Sequence, residues 1–407
     1  MTDGSDGGPR SGERAAVLVT DGEQRAALAV VRSLGRAGYR VHVSARRRRA
    51  LAAASRWASS VLEAPDPLRE GEAFVNAVAA HVAAHDIAVV VPVTDASMLA
   101  LLSARDRLGS ATIPFGSLEA FLALADKAGL RDRAVRLGIA FPAQRALEWS
   151  ERSMALAGCV RMPAVVKPAR SVAGVGAGRA KFGVEHAATI DALERVVRSI
   201  PQAGYPLLIQ ERIVGPGIGV FLLLWDGRIV ASFAHRRLRE KPPSGGVSVS
   251  AESIAGTPEL IDRSRALLTE IGWSGVAMVE YKVDQETGTP YLMEINGRFW
   301  GSLQLAIDAG VDFPALLVAC ALGQVPAAAP DYRVGLRGRW WWGDVDHLIA
   351  RLRHSSTGLS LPPGAPSRAA AVGDFVSACV RGDPDAVWRW SDPRPFLAET
   401  ASWLRRQ

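Results

Sequence analysis

Two glutamates and an asparagine in the last third of the chain have the types and spacing to do chemistry. The runs Val276 to Val283 and Tyr291 to Asn296 each read as a β-strand, and Gln285-Glu286-Thr287-Gly288-Thr289 between them reads as a turn. If that hairpin closes symmetrically about Thr287, Glu280 stands opposite Glu294 with Cβ atoms ~4.5–5.5 Å apart. Two bare carboxylates at that distance repel. Asn296 lies two residues beyond Glu294 and points from the same face. Two carboxylates and an amide oxygen are hard ligands that suit Mg²⁺, which takes few protein ligands and completes its shell with water and substrate phosphate. A register shift that turned one glutamate to solvent would remove the site, and spacing alone leaves both readings open.

A second constellation precedes it. Ala164-Val165-Val166-Lys167 reads as a strand ending at Pro168, followed by the glycine-rich loop Ser171 to Arg179. Ser171, Gly174, Gly176 and Gly178 offer backbone N–H groups that can approach a phosphate closely. No Gly-Lys-[Ser/Thr] follows, so this is not a Walker loop, and G-x-G-x-G is not the dinucleotide spacing. An ordinary surface loop is the competing reading. The cation preceding it weighs against that. Only five of the 48 basic residues are lysine (Lys127, Lys167, Lys181, Lys241, Lys282), so a lysine at a strand end is a deliberate point charge in an arginine-preferring chain.

The elements that must position these groups fall into four stretches. Residues 1–14 (MTDGSDGGPRSGER) form a Gly/Asp/Ser-rich tail with no apolar signal core. Residues 15–118 read as a small doubly wound α/β domain: a strand Ala16 to Thr20, a helix Gln24 to Ala37, a strand Tyr39 to Ser44, a helix around Phe74 to His85 and a strand Ile87 to Val93. Its first turn, Thr20-Asp21-Gly22-Glu23, lacks G-x-G-x-x-G, which argues against a dinucleotide there. Residues 119–325 begin with a helix from Asp126 and continue as a mainly antiparallel strand series. Trp225-Asp226-Gly227-Arg228 marks a tight hairpin within it, and Lys241-Pro242-Pro243-Ser244-Gly245-Gly246 a loop. Residues 326–407 open with a Pro/Ala linker and carry Trp340, Trp341, Trp342, Trp388, Trp390 and Trp403, which fit helices packed on the main body better than a partner surface.

Several features point to less. Arg46 to Arg49 reads as a solvated run rather than an anion site. His81 and His85 share a helix face but lack the intervening glutamate of a zinc protease or a neighbouring cysteine, so their spacing reads as a helix face rather than a metal site. Of 407 residues 48% are hydrophobic, enough for two to four cores; the formal charge of +7 is too diluted to imply nucleic acid. Three distant cysteines fit a reducing cytoplasm, and no apolar run is long enough for a membrane span.

The ordered series Asp126-Lys127, Val166-Lys167-Pro168 with its glycine loop, Ile209-Gln210-Glu211-Arg212-Ile213-Val214-Gly215, Glu280, and Glu294-Ile295-Asn296-Gly297-Arg298 resembles the ATP-grasp superfamily. The resemblance spans about 15 to 325. It implies a pre-ATP-grasp α/β domain followed by an α+β ATP-grasp domain of two subdomains, about 119–205 and 206–325, with a hinge near 210–215, and then a helical extension. It implies Lys127 and Lys167 on ATP phosphates, the Ser171 to Gly178 loop closing over them, Gln210, Glu211 and Val214 at the adenine, Glu280, Glu294 and Asn296 on Mg²⁺ (two ions, with Mn²⁺ as a substitute), and Arg298 on the transferring phosphoryl group. The wording His235 to Gly246 looks like the carboxylate-amine ligase type, which would join a small carboxylate to an amine through an acyl phosphate. Arg237 and Arg239 are then candidates for the substrate carboxylate. One departure is that Gly215-Pro216-Gly217-Ile218-Gly219 lacks the acidic residue that often meets the ribose. Relatives are often dimers, so a homodimer is a natural assembly. An ATP-grasp kinase and a non-catalytic ATP-binding regulatory protein are the rival readings.

Overall fold

The computed structural model describes residues 15–170, 172–175, 178–324, 326, 331–362 and 364–406. Ser171 and Gly176 of the glycine loop lie outside them. The first layer is a parallel sheet built from β1 (Ala16–Val19), α1 (Arg25–Arg36), β2 (Arg40–Ala45), β3 (Ala58–Glu63), α2 (Gly71–His85), β4 (Ile87–Val91) and α3 (Asp95–Leu102), in the order β3-β2-β1-β4. The apolar runs of β1 and β4 suit strands buried on both faces. β3 escapes sequence reading because Ala-Ser-Ser-Val-Leu-Glu is a half-exposed edge with little apolar signal. The turn after β1 is closed internally. Asp21, at φ 60°, accepts from the Val93 and Thr94 amides, both at 3.1 Å, and from the Ser97 hydroxyl at 2.5 Å, joining the ends of β1 and β4 to the start of α3.

The second layer follows α4 (Leu118–Ala125) and α5 (Lys127–Arg136). Strands β5 (Gln144–Leu147), β6 (Ala164–Pro168), β9 (Glu185–Ala187) and β10 (Leu207–Glu211) make an antiparallel sheet of order β5-β10-β6-β9, covered by α6 (Ile190–Ser199). Between β6 and β9 the chain makes a separate hairpin, β7 (Val172–Val175) and β8 (Gly178–Lys181). This sheet has its own small core around Leu147, Val166, Leu193 and Ile209.

The third layer is a six-stranded antiparallel sheet. It comprises β11 (Gly217–Trp225), β12 (Arg228–Lys241), β13 (Val247–Ser253), β14 (Gly275–Val283) and β15 (Pro290–Asn296), with helices α7 (Pro258–Glu270), α8 (Leu303–Ala309) and α9 (Phe313–Ala321), and β16 (Arg337–Arg339) completes the order β15-β14-β11-β12-β13-β16. Positive φ at both Asp226 and Gly227 gives the β11–β12 hairpin the backbone that matches strand twist.

Residues beyond 325 are continuous with this layer, since β16 is one of its strands. Helices α10 (Trp341–Arg353), α11 (Arg368–Val380) and α12 (Arg394–Leu404) then pack back on the body. Trp342 stacks on Trp403 at 4.2 Å between centroids, Trp340 lies under the Arg25 guanidinium at 3.9 Å, and Trp390 is exposed. Asp392 reaches the first layer, where the buried Arg32 donates to it at 2.9 Å. Among the described residues no single helix is long and apolar enough to cross a membrane.

Candidate active site

Glu280 and Glu294 are cross-strand partners on β14 and β15. The register that brings them together is not uniform. Near the turn Tyr281 pairs with Leu292, and Met293 is an extra residue before the Glu280–Glu294 pair. A hairpin symmetrical about Thr287 would pair residue 281 with 293; the observed turn closes tighter, and the bulge restores the register at the glutamates. A bulge leaves its extra residue outside the ladder. The Met293 carbonyl accepts from Lys167 Nζ at 3.3 Å instead.

Asn296 shares the face of Glu294. Its Nδ2 donates to Glu294 Oε1 at 3.0 Å, and its Oδ1 accepts from Arg298 Nη2 at 2.9 Å. Arg298 also donates through Nε to Asp95 Oδ1 at 2.9 Å, bridging the end of β15 to the start of α3 in the first layer. Lys127 is the first residue of α5, a helix capped by the Asp126 side chain, and its Nζ stands 3.7 Å from Glu294 Oε2. The Lys127 amide donates to Ala169 O at 3.1 Å, which ties that helix start to the end of β6, where Lys167 sits.

Arg237 reaches the pair from two strands away. From β12 it crosses β11 to donate to Glu280, and it also donates to Glu240 at 2.8 Å. Two strand spacings are about 10 Å, and the side chain runs close over Gly217, where a Cβ would lie 3.1 Å from Arg237 Cδ. Gly217 was the sequence signal for this path, although its only mark in the sequence reading was a missing acidic residue.

Arg239 does not join the cluster. Irregularities in the β12–β13 pairing flank it and turn it the other way, where its Nε and Nη2 donate to the two oxygens of buried Asp344 at 2.6 and 2.7 Å. That bidentate pair holds α10 and corrects the expectation of a guanidinium open to substrate. Lys241 is likewise occupied, by Asp346.

The residues expected at a hinge line an adjoining stretch. Gln210 is fully buried, donating to Gln144 Oε1 at 3.2 Å, and its own Oε1 has no partner among the described residues. Glu211 accepts the Ala143 amide at 3.0 Å. The Val214 carbonyl accepts from Gln285, beyond the end of β14. Gly215, at φ 153°, packs on that strand end so closely that a Cβ would overlap the Val283 carbonyl. Three residues of β14, about 10 Å, separate that point from Glu280. Of the glycine loop only β7 and β8 are described: Gly174 is within β7, and Arg179 N donates to Leu68 O at 2.8 Å, docking the hairpin on the first layer.

The electrostatics follow from burial beside paired charges. Burial alone would raise the Glu294 carboxyl, but Lys127, the Asn296 amide and Lys167 together draw it down to about 2. Burial lifts Glu280 above its ordinary value; Arg237 pulls against this and the Glu294 charge adds to it. Burial lowers Lys167 to about 8, with Glu294 opposing and Lys127 reinforcing the fall. Lys127, Lys167, Arg237 and Arg298 thus face the carboxylates of Glu240, Glu280, Glu294 and Asp95, four charges of each sign.

Sequence reading also missed a cleft of about 200 Å³ at the carboxyl ends of the parallel strands. It is lined by Asp21, Arg46, Asp66, Asp95 and, from the β7–β8 hairpin, Lys181. Open α/β sheets bind ligands at this end of their strands. Asp95 belongs to both cleft and cluster. Nothing in the sequence placed these residues together, because they come from separate elements that only the fold brings to one place.

Three layers with a carboxylate pair on the edge hairpin of the antiparallel sheet, a lysine-bearing strand against it and a parallel-sheet domain beside it define an ATP-grasp fold, and known structures bear this out. The chain superposes on L-amino acid ligase from Bacillus licheniformis (TM-score 0.59, 17% identity, 76% of this chain and 74% of that one). It also superposes on biotin carboxylase from Campylobacter jejuni (0.61, 17%, 79% and 74%) and N5-carboxyaminoimidazole synthetase from Staphylococcus aureus (0.60, 14%, 79% and 80%). Within that class, residues 204–342 match the family described as "ATP-grasp in the biosynthetic pathway with Ter operon". A phosphoribosylamine–glycine ligase from Phenylobacterium zucineum (strain HLK1) is 29% identical over 226 residues, 50% of this chain; the chain spans about half the length of that curated relative.

Proposed function

We propose that this chain is an ATP-dependent ligase that activates a small carboxylate as an acyl phosphate and joins it to an amine, releasing ADP and orthophosphate. One observation carries the reading. Glu280, Glu294 and Asn296 present hard oxygen atoms on one strand face, and Lys127, Lys167 and Arg298 stand around them between the hinge and the first-layer cleft. The donor set fits Mg²⁺, which would be held by the two carboxylates and the Asn296 amide oxygen and would supply charge neutralisation to the phosphates. Two Mg²⁺ with ATP⁴⁻ carry no net charge, so loading them leaves the balance of four cations and four carboxylates intact.

In this reading the adenine lies at Gln210, Glu211 and Val214, with the triphosphate running along β14 toward Glu280. Lys127 and Lys167 bind phosphate oxygens, and the loop around Ser171, Gly174 and Gly176 covers them and keeps water from the acyl phosphate. Arg298, fixed between Asn296 and Asp95, meets the phosphoryl group as it passes toward the cleft, where charge develops in the transition state. The carboxylate and amine occupy the cleft lined by Asp95 and Lys181. Arg237 positions Glu280 by holding it across Gly217.

The test incubates the protein with Mg-ATP and pooled amino acids and small carboxylic acids, following ADP, orthophosphate and new masses, with Glu294→Ala as control. An amide-mass product with ADP and orthophosphate, both lost in Glu294→Ala, supports the ligase. A phosphorylated product without orthophosphate overturns it in favour of a kinase.

A further inference from the structure

His81 and His85 are joined by a third imidazole from elsewhere in the chain. His42 on β2 is buried beneath them, with its Nδ1 2.9 Å from His81 Nε2. Ring centroids are 5.1 Å apart for His42–His81, 5.0 Å for His42–His85 and 4.2 Å for His81–His85. One nitrogen from each ring can be chosen so that all three lie within 4.8 Å of one another. The cluster lies on the helix-covered face of the parallel sheet, and His85 opens it to solvent.

Hydrogen bonding alone leaves this cluster unsatisfied. His42 Nδ1 is within reach of both His81 Nε2 and the hydroxyl of Ser60, its cross-strand partner on β3, at 2.7 Å. His42 Nε2 is buried with no partner among the described residues. A neutral imidazole has one donor and one acceptor nitrogen. Whichever tautomer His42 adopts, Nε2 is left as an unmatched N–H or an unmatched lone pair, at the cost of a buried polar group without a mate.

We propose that His42, His81 and His85 form a binding site for a borderline divalent transition-metal cation, with Zn²⁺ as its type, and with a fourth position open to water. Imidazole nitrogen selects Zn²⁺, Co²⁺, Ni²⁺ or Cu²⁺ over Mg²⁺, and three protein ligands with an open position is an established zinc arrangement. Tetrahedral bonds of ~2.0–2.1 Å separate ligand nitrogens by about 3.4 Å. Closing from the present spacing requires movements under about 1.5 Å, which the exposed His85 supplies by changing rotamer. With the metal on His42 Nε2, the nitrogen that otherwise lacks a partner, the 2.7 Å contact of Ser60 with Nδ1 would be the outer-shell bond that orients a ligating imidazole. The site would pin the last turn of α2 to the β2–β3 edge of the sheet. It is independent of the ligase reading, sharing none of the residues assigned there.

The test uses the full chain, stripped of metal and held in millimolar Mg²⁺ so that the oxygen-rich site is occupied. Zn²⁺ is titrated calorimetrically, and Co²⁺ by visible absorption, for the wild type, His85→Ala and His81→Ala. Both variants sit at the open side of the cluster and leave buried His42 in place. One equivalent of Zn²⁺ bound by the wild type, with affinity at least about tenfold weaker in each variant and the four-coordinate cobalt bands lost, supports the site. Absence of Zn²⁺ binding by the wild type, or binding unchanged in both variants, overturns it.

Discussion

Two regions of this protein bury charge, and they do so in opposite ways. At the seam where the C-terminal segment docks, the groups are closed on one another. Asp392 accepts from Arg32 at 2.9 Å, from the Ser55 hydroxyl at 2.7 Å and from the Arg56 amide at 2.9 Å, while Arg32 Nη2 donates to the Val387 and Asp392 carbonyls. Asp344 takes both arms of Arg239. On the β14–β15 face Arg237 is paired with Glu280 and Arg298 with Asp95, but the lysines stand farther from the carboxylates. Lys127 is 3.7 Å from Glu294, Lys167 Nζ meets the Met293 carbonyl at 3.3 Å, and two glutamates stand abreast. Saturated geometry spends charge on architecture; loose geometry of balanced sign leaves it available to a ligand.

The largest effect that separates the regions is expected at the seam. Asp392→Ala leaves Arg32 buried without its carboxylate and lowers stability by about 3–5 kcal/mol, read by denaturant unfolding, while the rise in melting temperature on adding Mg-ATP persists. Glu294→Gln does the converse. It abolishes the Mg-ATP-induced rise and lowers turnover about 10²–10³-fold, the usual loss for one well-placed electrostatic group, with a smaller change in unliganded stability than Asp392→Ala. If the seam variant lost the nucleotide response and the face variant kept it, the distinction between the regions would collapse.

Two pH profiles sharpen it. Burial, assisted by Asp385, pushes the Glu399 carboxyl up to about 7, against its bond from Trp340 Nε1 at 2.8 Å. The folded state then prefers the protonated form, so this stabilisation is complete below the ordinary value near 4.5 and is lost as pH rises through about 7. Stability should fall by about 3 kcal/mol across that window, and Glu399→Gln should flatten the slope in unfolding measured from pH 4.5 to 8. On the face, Lys167 titrates at about 8, and its charge is lost above that value. kcat/KM for ATP should decline about tenfold per pH unit beyond it, a limb absent from Lys167→Met. The smallest effect is expected at Trp390, which is 88% exposed despite its edge contact with Trp388. Trp390→Ser should change stability by less than about 0.5 kcal/mol, the value for a tryptophan that anchors neither region.

Local pattern made much of the site legible. Alternation on both sides of a Gly288-containing turn marked the hairpin and both glutamates on it, although their direct pairing rests on the bulge. A helix starting near Asp126 and the Asp226-Gly227 hairpin were legible as well. The Met293 bulge was not legible, because nothing in Tyr-Leu-Met-Glu distinguishes a regular strand from one with an extra residue.

The fates of Arg237 and Arg239 show the remaining gap most directly. They are identical residues two apart on one strand, a spacing that puts them on the same face of a regular ladder. The irregular β12–β13 pairing sends one to Glu280 and the other to Asp344, 105 residues away in sequence. The cleft, the Arg298–Asp95 bridge and the meeting of His42 with His81 and His85 are of the same kind. The sequence by itself determined most of the elements and the order of motifs, because those depend on periodicity and turns within about a dozen residues. Tertiary structure alone decided which charges are sealed and which stand open, because that depends on partners carried to the same place from distant strands and helices.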